Sequence, residues 1–142
     1  MKDITCTLYL PPYLHDYIVN KYGTPAKFSK RSIANHLLVE LSERRRSTPL
    51  VVRGVPTRVV LPDHRYKKPE HYHHFTRRAH AQLVRCLVRE LSISLMDAMH
   101  DATLHRAPIL STLHTWCQAH GIRVAHREAI RRMYYRAIAD RL

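Results

Sequence analysis

Glycine is scarce in this 142-residue chain, with three positions, Gly23, Gly54 and Gly121, each standing alone. That excludes a glycine-rich phosphate loop, in which closely spaced glycines let the backbone wrap an anion. Cysteine is equally sparse: Cys6, Cys86 and Cys117 are odd in number and irregularly spaced. They exclude a closed disulfide framework and fit reduced thiols in a cytoplasmic compartment, serving as small core residues. No strand-like segment is rich in Phe or Tyr, which disfavours the aromatic platform of an RNA-recognition sheet. No uncharged apolar run approaches the roughly 18 residues of a membrane-spanning helix, and the first residues lack a signal peptide's apolar core. The most informative shortage is of acid: 11 Asp and Glu face 24 Lys and Arg, a formal charge of +13 with histidine neutral.

Hydrophobic residues make up 45% of the chain and charged residues 25%. This is enough apolar surface for a core, and the length suits one domain spanning residues 1–142. Within it the pattern separates a strand-helix-helix part at 1–46, a linker with a second strand at 47–68, and a helical part at 69–142. Ile4, Cys6, Leu8 and Leu10 alternate with Thr5, Thr7 and Tyr9, which predicts a strand that Pro11-Pro12 ends. Tyr13 to Tyr22 reads as a short helix closed by Gly23, and a turn follows at 24–28. Ser29 or Ser32 caps a second helix whose apolar face is Ile33, Leu37 and Leu41 and whose tail is Arg44, Arg45 and Arg46. Thr57 to Leu61 reads as a second strand. From Pro69 to Arg106 the chain lacks proline and glycine, predicting one long helix, or two with a kink near Ser92-Ile93-Ser94. Ile109 to His120 and Val124 or His126 to Leu142 form two more helices. The expected fold is mainly α, about five helices around one long central helix, with a small two-stranded β element near the N-terminus.

Placement of the charge matters more than its sum. Arg78, Arg85 and Arg89 fall on one ridge of the long helix, opposite the leucine stripe Leu83, Leu87, Leu91 and Leu95. Arg127 and Arg131 are spaced by one turn on the last helix, as are Arg132 and Arg136. Few acids stand four residues away to neutralise them, Glu90 and Glu128 being exceptions. Arginine's planar fork suits phosphate, whereas the competing reading of any single arginine is a solvated face.

The order across Thr5-Cys6-Thr7-Leu8-Tyr9-Leu10-Pro11, Leu14, Ile18, Ser29-Lys30-Arg31-Ser32-Ile33 and Leu37-Leu38-Leu41 resembles the ribbon-helix-helix family of DNA-binding proteins. The resemblance covers about a third of the chain. It implies a homodimer whose paired strands enter the major groove, with Thr5, Thr7 and Tyr9 reading bases. It also implies that Ser29, Lys30 and Ser32, with Arg31 beside them, hold a phosphate at the second helix. This strand lacks the outward Lys or Arg usual in the family. The alternatives are a generic strand-helix-helix element and a second strand that pairs within the chain. Around Gly121 the last two helices have the outline of a helix-turn-helix, in which His126, Arg127, Arg131 and Arg132 would face a groove; an ordinary helical hairpin is the competing reading.

The twelve histidines do not supply a metal site on spacing. His71, His73 and His74 at a helix start would point over too wide an arc for one tetrahedral centre. Protonated below about pH 6.5, they would tighten polyanion binding. Asp97 and Asp101 share a face near His100 and His105, an arrangement that can hold a nuclease metal but is commonly a solvated helix edge. Tyr134-Tyr135 beside arginines lacks the partners of a strand-transfer tyrosine. The expectation is a non-enzymatic nucleic-acid-binding protein, a small regulator or accessory factor without metal or cofactor. Its partner would be duplex DNA rather than RNA, and it would act as a homodimer in the cytoplasm, at the nucleoid. The rival is a basic adaptor or structural component that meets an acidic protein surface in a larger assembly.

Overall fold

A computed structural model describes residues 3–44 and 52–140. Among them the chain runs β1 (Thr5–Leu10), α1 (Pro12–Tyr22), α2 (Ile33–Leu41), β2 (Val55–Val60), α3 (Arg77–Leu104) and α4 (Ile109–Ala119). A short 3-10 turn, Val124–His126, then leads into α5 (Arg127–Ala139). The architecture is mainly helical, with α3 in contact with the other four helices and a two-stranded antiparallel sheet near the N-terminus.

β1 pairs with β2 of its own chain, Thr5 opposite Val60 through Leu10 opposite Val55. The Leu61 N–H donates to the Ile4 carbonyl at 2.8 Å, so the hydrogen-bonded pairs fall on the even residues of β1. Pro56, which has no N–H, stands opposite Tyr9 and therefore costs the ladder nothing. The outer edge of β2 is covered at Ala26, which exchanges main-chain bonds with Arg58 and Val60. Gly54 precedes β2 at φ +144°, where a Cβ would lie 2.7 Å from the Tyr9 carbonyl carbon, so only glycine fits.

The core joins Leu8 and Leu10 of β1, Leu14, Tyr17 and Ile18 of α1, Leu38 of α2 and Val59 of β2 to the inner stripe of α3. That stripe is Ala79, Leu83, Leu87, Leu91, Leu95 and Met99, and α4 and α5 close it with Leu113, Trp116, Cys117, Ile130 and Tyr134. Period-four spacing puts one residue of each turn against the sheet or a neighbouring helix.

The long helix is uninterrupted, with no break at Ser92-Ile93-Ser94, but it starts at Arg77, well after the Pro69 that proline spacing predicts. Thr76 caps it by accepting from the Ala79 N–H at 3.0 Å. The residues before it are held out of the helix by a main-chain bridge between Glu43 and His74 and by the buried Phe75. Its end is set by Arg106 in the left-handed region at φ 55°. Ser32, not Ser29, caps α2 by accepting from the Asn35 N–H. Ile33 is 72% exposed, and α2 instead buries Ala34, Asn35 and Leu38. Helix α2 stops at Leu41, where Lys67 caps the last carbonyls by donating to Glu40 and Ser42, each at 3.0 Å. Arg44 thus lies beyond the helix, and Arg45 and Arg46 lie outside the described residues.

Leu91 has no solvent exposure and sits midway along the stripe. Leu91→Ala should cost about 2–5 kcal/mol through reduced burial and a residual cavity, measured as a lowered urea midpoint with an unchanged slope.

Candidate nucleic-acid interface

Helix α5 is placed by a buried carboxylate. Asp16 of α1, its side chain only 4% exposed, accepts from the Arg123 main-chain N–H at 3.1 Å and from Arg123 Nε and Nη2 at 3.2 and 3.0 Å. The guanidinium bonds go to Oδ1, and His126 Nδ1 lies 2.6 Å from Oδ2, which it shares with the main-chain N–H. Burial alone would raise the Asp16 carboxyl, but the hydrogen bonds from His126 and Arg123 and the Arg123 charge outweigh it and hold the group below 3.8. The same stretch carries Gly121 at φ +70°, where a Cβ would meet the Asn20 side chain at 2.6 Å. Ile122 beside it is fully buried. Tyr17 stacks on Trp116 with ring centroids 6.1 Å apart, and His120 tilts against both. Helix α1 therefore docks the whole connection between α4 and α5.

This docking decides which arginines of α5 face out. Arg127 is turned inward, half-buried, its Nε donating to the Ile122 carbonyl at 3.1 Å. It is not part of an exposed face, contrary to the expectation that it faces a groove. His126 is likewise engaged with Asp16. Arg131, Arg132, Tyr135 and Arg136 are exposed. Glu128 is the acid among them, 3.7 Å from Arg131 and 3.6 Å from Arg132. The Arg131 guanidinium also lies 5.8 Å from the centre of the Tyr135 ring.

On α3, Arg78, Arg85 and Arg89 are exposed, as is Arg77, and none pairs with a carboxylate among the described residues. Glu90, the nearest acid on the helix, is taken by α1: it accepts from the Tyr22 hydroxyl at 2.6 Å and sits 3.5 Å from Lys21.

The strand face differs from the expectation drawn from the ribbon-helix-helix resemblance. One edge of β1 is occupied by β2, so it is not available to a second copy. Thr7 is exposed, but Thr5 and Tyr9 are half-buried. The Tyr9 N–H donates to His80 Nε2 at 2.9 Å. His80 is buried, and burial lowers it below 6.5, which favours the neutral ring that accepts from Tyr9 at neutral pH. Burial also lowers His120, helped by the charge of Lys21, so both take up a proton at lower pH than an ordinary histidine. The exposed cation of this sheet is Arg58 of β2, opposite Thr7, whose Nη2 donates to Thr5 Oγ1 at 3.2 Å. Strand alternation through 55–60 would have revealed it. Lys30 and Arg31 are exposed on the turn before α2, and Ser29 is engaged within that turn, its carbonyl accepting from the Ser32 hydroxyl at 2.7 Å.

Among the described residues no three His, Cys, Asp or Glu side chains converge as metal ligands. Asp97 is exposed, and Asp101 lies 3.6 Å from His105 on an exposed helix edge. Tyr134 is buried. Burial pushes the Cys6 thiol up to about 12 and raises Cys86 and Cys117, which makes them poor nucleophiles. No described helix is long and apolar enough to cross a membrane.

The order β1–α1–α2 is loosely that of a ribbon-helix-helix unit, but no family model, curated protein or solved structure matches this chain.

Asp16 makes stability depend on pH in the acid range. Because its folded value is depressed, it contributes stability above the unfolded carboxylate value and loses it as pH falls through the folded one. Asp16→Asn should lower the urea midpoint at pH 7 and flatten the loss of stability below about pH 4. Asp16→Ala should cost about 2–3 kcal/mol, less than a fully buried pair, because Arg123 is 68% exposed and screened.

Proposed function

We propose that the chain binds duplex nucleic acid, with DNA favoured over RNA, and acts as a non-enzymatic regulator or accessory factor. The observation that carries this reading is the outer face of α5. Arg131, Arg132, Tyr135 and Arg136 project together from a helix that is anchored at its N-terminal end by Asp16. A helix of this width fits the major groove, where arginine pairs bidentately with guanine and an aromatic ring packs on thymine methyls. Arg78, Arg85 and Arg89 on α3, with Arg44 and Arg58, add exposed cations suited to phosphate. Such cations position a protein on the duplex without reading sequence. A homodimer would place two such helices on half-sites one helical turn apart.

A second reading has one observation of its own. Tyr13, Val88, Ala129, Met133 and Ala137 form an apolar groove between α1, α3 and α5, with Arg132 and Arg136 on its rim. An adaptor that meets an acidic protein surface would use such a groove, and its binding would respond weakly to salt because the interface has an apolar centre.

Fluorescence anisotropy on labelled duplexes tests both. The Arg78, Arg85 and Arg89 triple change to alanine should weaken binding equally on all sequences and reduce the log–log salt slope by about 2–3. The Arg131→Ala and Arg132→Ala changes should alter sequence preference, since each bidentate pairing with a base contributes about 1–3 kcal/mol of discrimination. Unchanged affinity in both folded variants would turn the reading towards the adaptor.

A further inference from the structure

A second, unrelated site lies on the opposite side of α2 from its packing on α3. A cavity of about 650 Å³ opens between α2, the turn before it and the segment after β2. It falls within the roughly 300–1,000 Å³ of small-molecule sites. Its inner wall is Phe28, Val39 and Val60, with Phe28 and Val60 buried. Asn35 also lines it, only 9% exposed. The Asn35 main-chain N–H is used by Ser32 Oγ, whereas its side-chain amide makes no hydrogen bond with any described residue. The amide is not enclosed by protein, so at the wall of a cavity of this size its donor and acceptor are both open to a ligand that offers the complementary pair.

The mouth is charged. Lys27 and Lys30 are exposed there. His64 also lines it; its Nδ1 accepts from the main-chain N–H groups of Tyr66 and Lys67 at 3.2 and 3.1 Å, which leaves the proton on Nε2 as a donor. Two of the three carboxylates nearby are already engaged, Glu40 lying 3.6 Å from His36 and Asp63 3.9 Å from Lys68. Asp3 has no ion-pair partner among the described residues and can accept from hydroxyls.

We propose that this cavity binds the adenosine 5′-phosphate group, with the Asn35 amide on the adenine edge, Asp3 on the ribose hydroxyls and Lys27 and Lys30 on the phosphate. An asparagine amide matches the N6 donor and N7 acceptor of adenine in two parallel bonds, and guanine presents two acceptors there and cannot. The apolar wall takes the base, and the lysines at the mouth meet the phosphate in solvent. The site shares no residue with the outer face of α5, so it stands or falls apart from duplex binding.

Isothermal titration with AMP, GMP and ribose 5-phosphate tests it. AMP should bind, with GMP and ribose 5-phosphate at least about tenfold weaker, since a site built for hydrogen bonds rejects partners that leave them unmade. Asn35→Leu should abolish the preference for AMP. Lys27→Gln with Lys30→Gln, at exposed positions that leave folding intact, should weaken AMP about tenfold while leaving adenosine binding unchanged. A 5′-phosphorylated oligonucleotide beginning with dA separates the two sources of the group: an affinity sensitive to Asn35→Leu assigns a strand end, an insensitive one the free nucleotide. No heat with AMP, or equal binding of all three ligands, would overturn the proposal.

Discussion

The buried carboxylate of Asp16 is the group on which the candidate interface depends. It lies more than a hundred residues in sequence from its partners Arg123 and His126, so its pairing requires α1, α4 and the turn before α5 to be assembled together. A carboxylate withdrawn from water is costly unless its oxygens are all occupied. Here four donors converge on two oxygens. They are main-chain and side-chain groups of one short turn, so the pairing fixes backbone as well as charge. Gly121 against Asn20 and the Tyr17–Trp116 stack reinforce the same junction. The orientation of α5 follows from that junction, and with it the choice of Arg131, Arg132 and Arg136 to face solvent and Arg127 to face the core.

The scarcity of acid has a structural consequence beyond net charge. Two of the few carboxylates serve as internal ties: Asp16 joins α1 to the turn before α5, and Glu90 joins α3 to α1 through Tyr22 and Lys21. Carboxylates used in this way are withdrawn from the arginine ridges. The arginines of α3 keep their charge without a carboxylate among the described residues, whereas Arg131 and Arg132 share one. Two acids tied into the fold, against arginines left outward, sharpen the positive field that exposed cations project over about a Debye length.

Much of this fold was legible because apolar spacing reports burial directly. The stripe of α3, the alternation of β1 and the breaks at proline and glycine place each element within a few residues, the start of α3 aside. The failures share a cause: long-range packing overrode local pattern. Helix α3 begins at Arg77 because Glu43 and Phe75 hold the preceding segment elsewhere, and the only local sign of it within 69–76 is the capping Thr76. Ile33 is exposed although it completes a helical stripe, because α2 rests on α3 through Leu38 and its neighbours. The arginine ridges could be read from spacing alone. The inward turn of Arg127 and the burial of Asp16 could not, since both depend on pairing α1 with α5. Arg58 was within reach of strand alternation, while the Asn35 cavity arises where three separated segments meet and has no local signature.

Duplex binding driven by exposed arginines is the central claim, and the salt dependence of wild-type affinity tests it most directly. Anisotropy of a labelled 30-base-pair duplex, titrated from low to physiological salt beside matched duplex RNA and single strands, should give a straight log–log decline. Its slope should be about −0.9 for each phosphate neutralised on duplex DNA, with duplex DNA bound the tightest. Absence of binding at low salt, where a charge of +13 has its greatest reach, would contradict that claim and assign the cationic surface to a protein partner.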